Sequence, residues 1–303
     1  MAIQRIESVT YGVEDLPACV RFFENVGLEP IASATGGACF RTPTGQHVYL
    51  RPHDDPALPA ATSPGSTIRE LCWGVDNRAA LDALARDLGA DRNVSVDADG
   101  VVHSFDESGF GFALALARPV PVAVSPRTTN LMEQVGRRNA GAMTYGRARP
   151  LRLIHVALDI LKEGRERAVG FYLERLGFRA IDQVLPMGCF MQCEGDIEHH
   201  NFLLCHRPDR IAMNHLAMEV RDADEVIEGG NYMHAQGWKE SRRLGRHNLG
   251  SNIFRMFHAP CGGRIEYAAD MDRMDRSFKP RVWAQTPPHN LWMVKFPGDT
   301  DTA

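Results

Sequence analysis

No apolar run in this sequence approaches the length needed to span a bilayer, so no membrane partner is expected. Charge of one sign is lacking too. Thirty-four Lys and Arg against 38 Asp and Glu leave a net −4, which gives no reason to expect nucleic acid as a partner. The opening residues, Met1-Ala-Ile-Gln-Arg-Ile-Glu7, lack an apolar signal core and read as the start of a strand. Cysteine is sparse and without pattern. The seven (Cys19, Cys39, Cys72, Cys189, Cys193, Cys205, Cys261) are odd in number and scattered, which suits reduced thiols in a cytoplasm better than a disulfide framework. Cys189 and Cys193 stand one residue too far apart for the usual half-site of a zinc knuckle. Gly229-Gly230 and Gly262-Gly263 belong to no strand–loop–helix motif, so a phosphate cradle is excluded as well.

What remains is a soluble globular composition, 44% hydrophobic and 24% charged, in 303 residues. That length holds two ordinary domains, each with its own core. Histidine is unevenly placed. Three of the 12 lie in the first half (His47, His53, His103) and the rest from His155 onward, so a metal would sit in the second half.

The chain repeats itself in degenerate form. Tyr11-Gly-Val-Glu-Asp15 leads into Arg21-Phe-Phe-Glu-Asn-Val-Gly-Leu28, and His155-Val-Ala-Leu-Asp159 leads into Val169-Gly-Phe-Tyr-Leu-Glu-Arg-Leu-Gly-Phe178. Each copy reads as strand, turn, amphipathic helix and a glycine just past the helix end. Arg69–Val75 corresponds to Asn214–Val220, with helices predicted over Arg78 to Leu88 and Asp222 to Gln236. Phe105–Ala113 corresponds to Phe257–Glu266. Laid together, the copies set Tyr11 opposite His155, Glu70 opposite His215 and Ala113 opposite Glu266. The stretch from Pro119 to Pro150 reads as a linker, and the charged, Pro- and Trp-rich end as an extended tail in which Trp283 and Trp292 anchor the packing.

His155, His215 and Glu266 each fall in the middle of a strand-like segment. Because side chains alternate across a strand, Ile154, Val156 and Leu158 leave on one face and His155 on the other. Two imidazoles and a carboxylate converging from three strands make a facial triad, which holds Fe(II) and leaves positions open for substrate and O₂. His206, His234, His258 and His289 have no marking spacing and read as solvated surface.

The repeated βαβββ modules, an inactive first domain and a triad in the second resemble the vicinal oxygen chelate superfamily, and within it the two-domain type I extradiol ring-cleaving dioxygenases. The resemblance implies an α+β fold in which each domain pairs two modules into an incomplete barrel with helices outside. The expected divisions are 1–120, a linker over 121–150, a metal-binding domain over 151–275 and a tail over 276–303. His155, His215 and Glu266 would ligate Fe(II), with Mn(II) as the alternative. His200 matches a histidine beside the O₂ site, and His247 lies the family's usual 19 residues before the glutamate, in a substrate loop that also holds Asn252. Arg242 falls where some members with acidic substrates carry an arginine. One position departs: Met256 stands ten residues before Glu266, where the family usually has a tyrosine, and a thioether offers only a weak acceptor. Tyr267 lies on the opposite strand face and cannot replace it.

The resulting expectation is an Fe(II)-dependent cytoplasmic homo-oligomer that cleaves a substituted catechol with O₂. The alternatives are a glyoxalase-like isomerase or non-catechol oxygenase on the same metal, and a non-enzymatic ligand-sequestering protein.

Overall fold

The computed structural model describes residues 3–33, 36–125 and 128–296. The predicted strand start at Met1 and Ala2, Pro126 of the linker and the tail beyond residue 296 lie outside the described residues.

The first sheet contains β1 (Ile3–Val13), β2 (Glu29–Ile31), β3 (Ala38–Arg41), β4 (His47–Pro52), β5 (Thr67–Val75), β6 (Ser95–Val96), β7 (Val102–Phe105) and β8 (Gly111–Leu116), in the order β2-β3-β4-β1-β5-β8-β7-β6. A short hairpin, β9 (Asn130–Leu131) and β10 (Gln134–Val135), lies in the linker. The second sheet contains β11 (Arg152–Leu161), β12 (Arg179–Val184), β13 (Gly188–Gln192), β14 (Phe202–Arg207), β15 (Ala212–Glu219), β16 (Glu240–His247), β17 (Ile253–His258), β18 (Arg264–Ala269), β19 (Arg281–Trp283) and β20 (Asn290–Met293). Its order, β19-β12-β13-β14-β11-β15-β18-β17-β16-β20, repeats the first with one strand added at each edge. Each half is a pair of βαβββ modules joined through two antiparallel strands, β1 with β5 and β11 with β15. Neither sheet closes into a barrel, as expected of the incomplete barrels.

The helices α1 (Leu16–Val26), α2 (Arg78–Leu88), α3 (Arg165–Gly170, continued by a π-helical turn to Arg175) and α4 (Ala223–Ala235) carry the crossovers between parallel strand pairs. Asp15 caps α1 by accepting from the Ala18 amide, which contributes about 1 kcal/mol. Its apolar face, Cys19, Phe22, Phe23 and Val26, is fully buried, at roughly 1.5–3 kcal/mol for each large side chain. Gly27 ends the helix at φ +102, and a Cβ there would lie 2.0 Å from the Ala148 carbonyl oxygen. Both backbone and space demand glycine. One apolar core spans the two halves: Trp73 meets Phe178 and Phe202 edge-on at 4.8 and 5.4 Å, and Phe22 meets Trp238 at 4.9 Å.

The register corrects one correspondence. Ala217 pairs with both His155 and Glu266, and the matching row of the first sheet joins Cys72 to Ser8 and Ala113. Ser8, not Tyr11, occupies the place of His155. Tyr11 faces the helices, buried with its ring 6.3 Å from Phe23. The repeat misleads because the second copy has three more residues between His155 and Gly177 than the first has between Ser8 and Gly27.

The tail is more than an extended segment on the body. β19 pairs with β12 at one edge of the second sheet and β20 with β16 at the other, so the chain between them crosses the open seam. Trp283 is an anchor, donating to Asp182 Oδ1 at 2.6 Å, whereas Trp292 is exposed. The linker's end is docked rather than free: Ala148 is buried and Tyr145 donates to Asp222 at 2.6 Å.

Candidate metal centre

β11, β15 and β18 lie side by side, and their register puts His155, His215 and Glu266 on one face. The turn that delivers Glu266 depends on Gly262, at φ +97, where a Cβ would lie 2.3 Å from the Ser66 carbonyl oxygen. One potential ligand atom from each of the three side chains lies within 4.8 Å of the others, and all three residues are buried. Glu266 Oε2 stands 3.3 Å from His215 Nε2 and 3.6 Å from His155 Nε2, and the two imidazole nitrogens are 3.0 Å apart.

The donors fit a divalent cation. Glu266 is fully buried, and its Oε2 has no hydrogen-bond partner while Oε1 accepts from Asn252 Nδ2 at 2.7 Å. A buried carboxylate oxygen with no partner is costly unless a cation answers it. Burial alone would raise the Glu266 pKa; the nearby His155 imidazole, with His247 and Arg242, outweighs it and holds the carboxyl below its ordinary range. The His215 imidazole is held well below its usual value by burial first and then by His155, Arg264 and Arg242. Neutral imidazole is the form that ligates. His215 Nδ1 meets Asn214 Oδ1 at 2.8 Å, and that acceptor leaves Nε2 with a free lone pair.

A cavity of about 650 Å³ opens over His155 and His215. His200 lies in its wall, two residues before β14 rather than within a strand, with its ring centroid 4.3 Å from that of His155. Burial, and then the neighbouring histidines, push His200 well below its ordinary pKa. His247, at the end of β16, stacks on Phe254 at 3.9 Å and places Nε2 3.9 Å from Glu266 Oε1. Burial lowers its pKa to about 4. Met256 pairs directly with Glu266 across β17 and β18, is buried, and lines the cavity with Met187, Phe190 and Leu203. Tyr267 points away and donates to the Val26 carbonyl at 2.9 Å.

The rim is basic. Arg207 and Arg210 share Asp159, each at 2.8 Å, while Arg264, among the described residues, bonds the neutral Asn214. Arg242 has no ion pair among the described residues; burial lowers its pKa and Glu266 opposes that. The tail closes the far side with Thr286, Pro287, Pro288 and His289.

Asn252 does not line the cavity; it holds Glu266. His199, next to His200, is fully buried. Of the histidines read as surface, His206 is half-buried and its two ring nitrogens lack partners, while His258 and His289 reach the cavity. Sequence reasoning missed Asn214, Asn290 (whose Oδ1 lies 3.2 Å from His247 Nδ1) and Asp182, because uncharged amides and a single aspartate carry no marking spacing.

Residues 152–267 match the Glyoxalase/Bleomycin resistance protein/Dioxygenase superfamily. Metapyrocatechase 2 of Cupriavidus necator is 32% identical over 176 residues, a match covering 55% of this chain and 54% of that enzyme, about half of its length. Among solved structures, the Mn(II)-bound glyoxalase from Novosphingobium aromaticivorans superposes with a TM-score of 0.75 at 22% identity, covering 96% of this chain and 91% of that one. The 2,3-dioxygenase LapB from Pseudomonas sp. KL28 gives 0.73 at 18% identity, covering 93% and 98%. At these identities the two structures establish the fold.

Proposed function

We propose, for a chain whose residues 152–267 match the glyoxalase, bleomycin resistance and dioxygenase superfamily, that it is an extradiol dioxygenase cleaving a substituted catechol with Fe(II) and O₂. The observation that carries the reading is the unpartnered Glu266 Oε2 facing two imidazole nitrogens, those of His155 and His215, whose side chains line a cavity of about 650 Å³. His155, His215 and Glu266 would hold the metal, Fe(II) by the donor set with Mn(II) as the alternative. Bound there, it supplies a Lewis acid and a template with open positions for the two substrate oxygens and O₂.

The protein's own groups do the rest. His247 lies where a substrate hydroxyl can hydrogen-bond, its ring held against Phe254. His200, neutral and unpartnered at Nε2, can take a proton from one oxygen and return it to another as the ring opens. Phe190, Leu203 and Met256 cover the ring faces and exclude water, and Arg242 favours a substituent that is acidic. Both atoms of O₂ enter the product, a ring-opened semialdehyde or related acid. All seven cysteines are free and buried, in keeping with a cytoplasmic protein; a homo-oligomer is part of the same proposal.

Met256 favours a second reading, a metal-dependent isomerase of the same superfamily, because no hydroxyl stands where the dioxygenases of the resembling type carry a tyrosine. Oxygen uptake against a panel of catechols, watched for a yellow product, separates the two. Stoichiometric O₂ consumption supports the dioxygenase, and turnover of a thiol adduct without O₂ supports the isomerase.

A further inference from the structure

Asp182, on β12, is fully buried and accepts four hydrogen bonds: two from Arg281 at 2.7 and 2.6 Å, one from Trp283 Nε1 at 2.6 Å and one from His199 Nε2 at 2.8 Å. Burial alone would raise its pKa, but the hydrogen bonds from His199, Arg281 and Trp283 hold it well below the ordinary carboxylate range. An ionised carboxylate only accepts, so the His199 proton is on Nε2. Carrying that single proton, His199 presents a lone pair at Nδ1, and the atom 3.0 Å away is His200 Nδ1. Two lone pairs cannot face one another at that distance, so His200 donates from Nδ1. Its other nitrogen, Nε2, is buried without a partner, and the side chain lines the cavity beside His155.

We infer that Asp182 and His199 are positioning residues: through one hydrogen-bonded line they fix the tautomer of His200 and present its Nε2 to the cavity without a proton. The kinetic consequence rests on the dioxygenase reading; the tautomer does not. A bare Nε2 accepts the proton of a substrate hydroxyl, forming N–H as O–H breaks. The charge so created is steadied through Nδ1–H by His199 and Asp182, in the manner of a carboxylate behind a histidine base. The proton then returns to the oxygen on which charge develops as the O–O bond breaks and the ring opens, so both oxygen atoms stay in the product.

The test has two arms. Ring ¹⁵N shifts of His200 in protein loaded with diamagnetic Zn(II) should show Nδ1 protonated and Nε2 bare; a protonated Nε2 overturns the assignment, whatever the substrate proves to be. In the Fe(II)-loaded protein, His199→Phe should lower kcat on the order of 10–100-fold while metal content and the ring-substrate KM stay within about twofold. His199→Gln, whose amide oxygen can accept from His200 Nδ1, should recover most of the rate. The double variant His199→Phe with His200→Phe should be no slower than His200→Phe alone. Losses that multiply, or a His199→Phe protein that sheds its metal, overturn the role. A native chain that turns over no catechol sinks the dioxygenase reading instead, and leaves the nitrogen shifts to decide His200.

Discussion

Asn252 and Glu266 are joined by a 2.7 Å hydrogen bond from Nδ2 to Oε1, and that bond decides which oxygen of the carboxylate faces the histidines. With Oε1 taken, Oε2 is the one left 3.3 Å from His215 and 3.6 Å from His155. Asn252 is fully buried, and its side chain does not line the cavity.

Asn252→Ala should therefore weaken metal binding about 10–100-fold, the usual cost of losing a group that orients a ligand, without changing the order of preference among substrates. Titration of the metal-free protein with Fe(II) or Mn(II) measures it. Unchanged affinity would show that Glu266 needs no such support.

His215→Ala should abolish metal retention and turnover while the fold survives, because only one of three donors is removed and the sheet pairing is backbone. Metal analysis beside a circular dichroism spectrum reads both. The native protein should hold about one metal per chain, and only in the second half, since the corresponding first-half set is Ser8, Glu70 and Ala113. A metal between first-half residues would sink the assignment.

Substrate choice should be divided between the apolar wall and the basic rim. Arg242→Met should raise KM for a carboxylate-bearing catechol roughly 10–100-fold, the worth of a charged hydrogen bond, and leave plain catechol within about twofold. Met256→Tyr should move the preference from ring-substituted toward smaller, more polar catechols. Steady-state kinetics across catechol, 3-substituted, fused-ring and acidic catechols decides both. Plain catechol as the best substrate for native protein and both variants would count against each role.

The metal-free protein should lose stability on mild acidification. His247 titrates near 6.5 when unfolded and near about 4 when folded, because burial disfavours its charge. Between those values the unfolded chain binds more protons, so stability rises with pH and falls as pH drops through the window. The loss from His247 is on the order of 3 kcal/mol, and His200 and His215 act in the same direction. A thermal midpoint that stays level from about pH 6.5 to about pH 4 would contradict it.

The triad was legible because ligation needs charged or basic side chains at strand centres, and alternation makes such residues conspicuous among Ile, Val and Leu. The module repeat was legible from its glycines and helix periodicity. Tyr11 was misplaced because the strand register depends on bulges and on a three-residue length difference that local pattern does not reveal. Asn252 could be tied to the loop but not to Glu266, since their approach is made by the β17–β18 pairing across 14 residues of chain. The Asp182 cluster was out of reach for the same reason: it joins β12, the His199 loop and β19, three segments spread over 101 residues.

β19 and β20 have a use apart from covering the cavity. They occupy the two outer edges of a ten-stranded sheet, whose backbone donors and acceptors would otherwise stand free along β12 and β16. The first sheet ends instead in β2 and β6, only three and two residues long. A chain cut before Arg281 would bare two long rims of hydrogen-bonding backbone, each a template on which a second molecule could add a strand, and would aggregate before its chemistry could be measured.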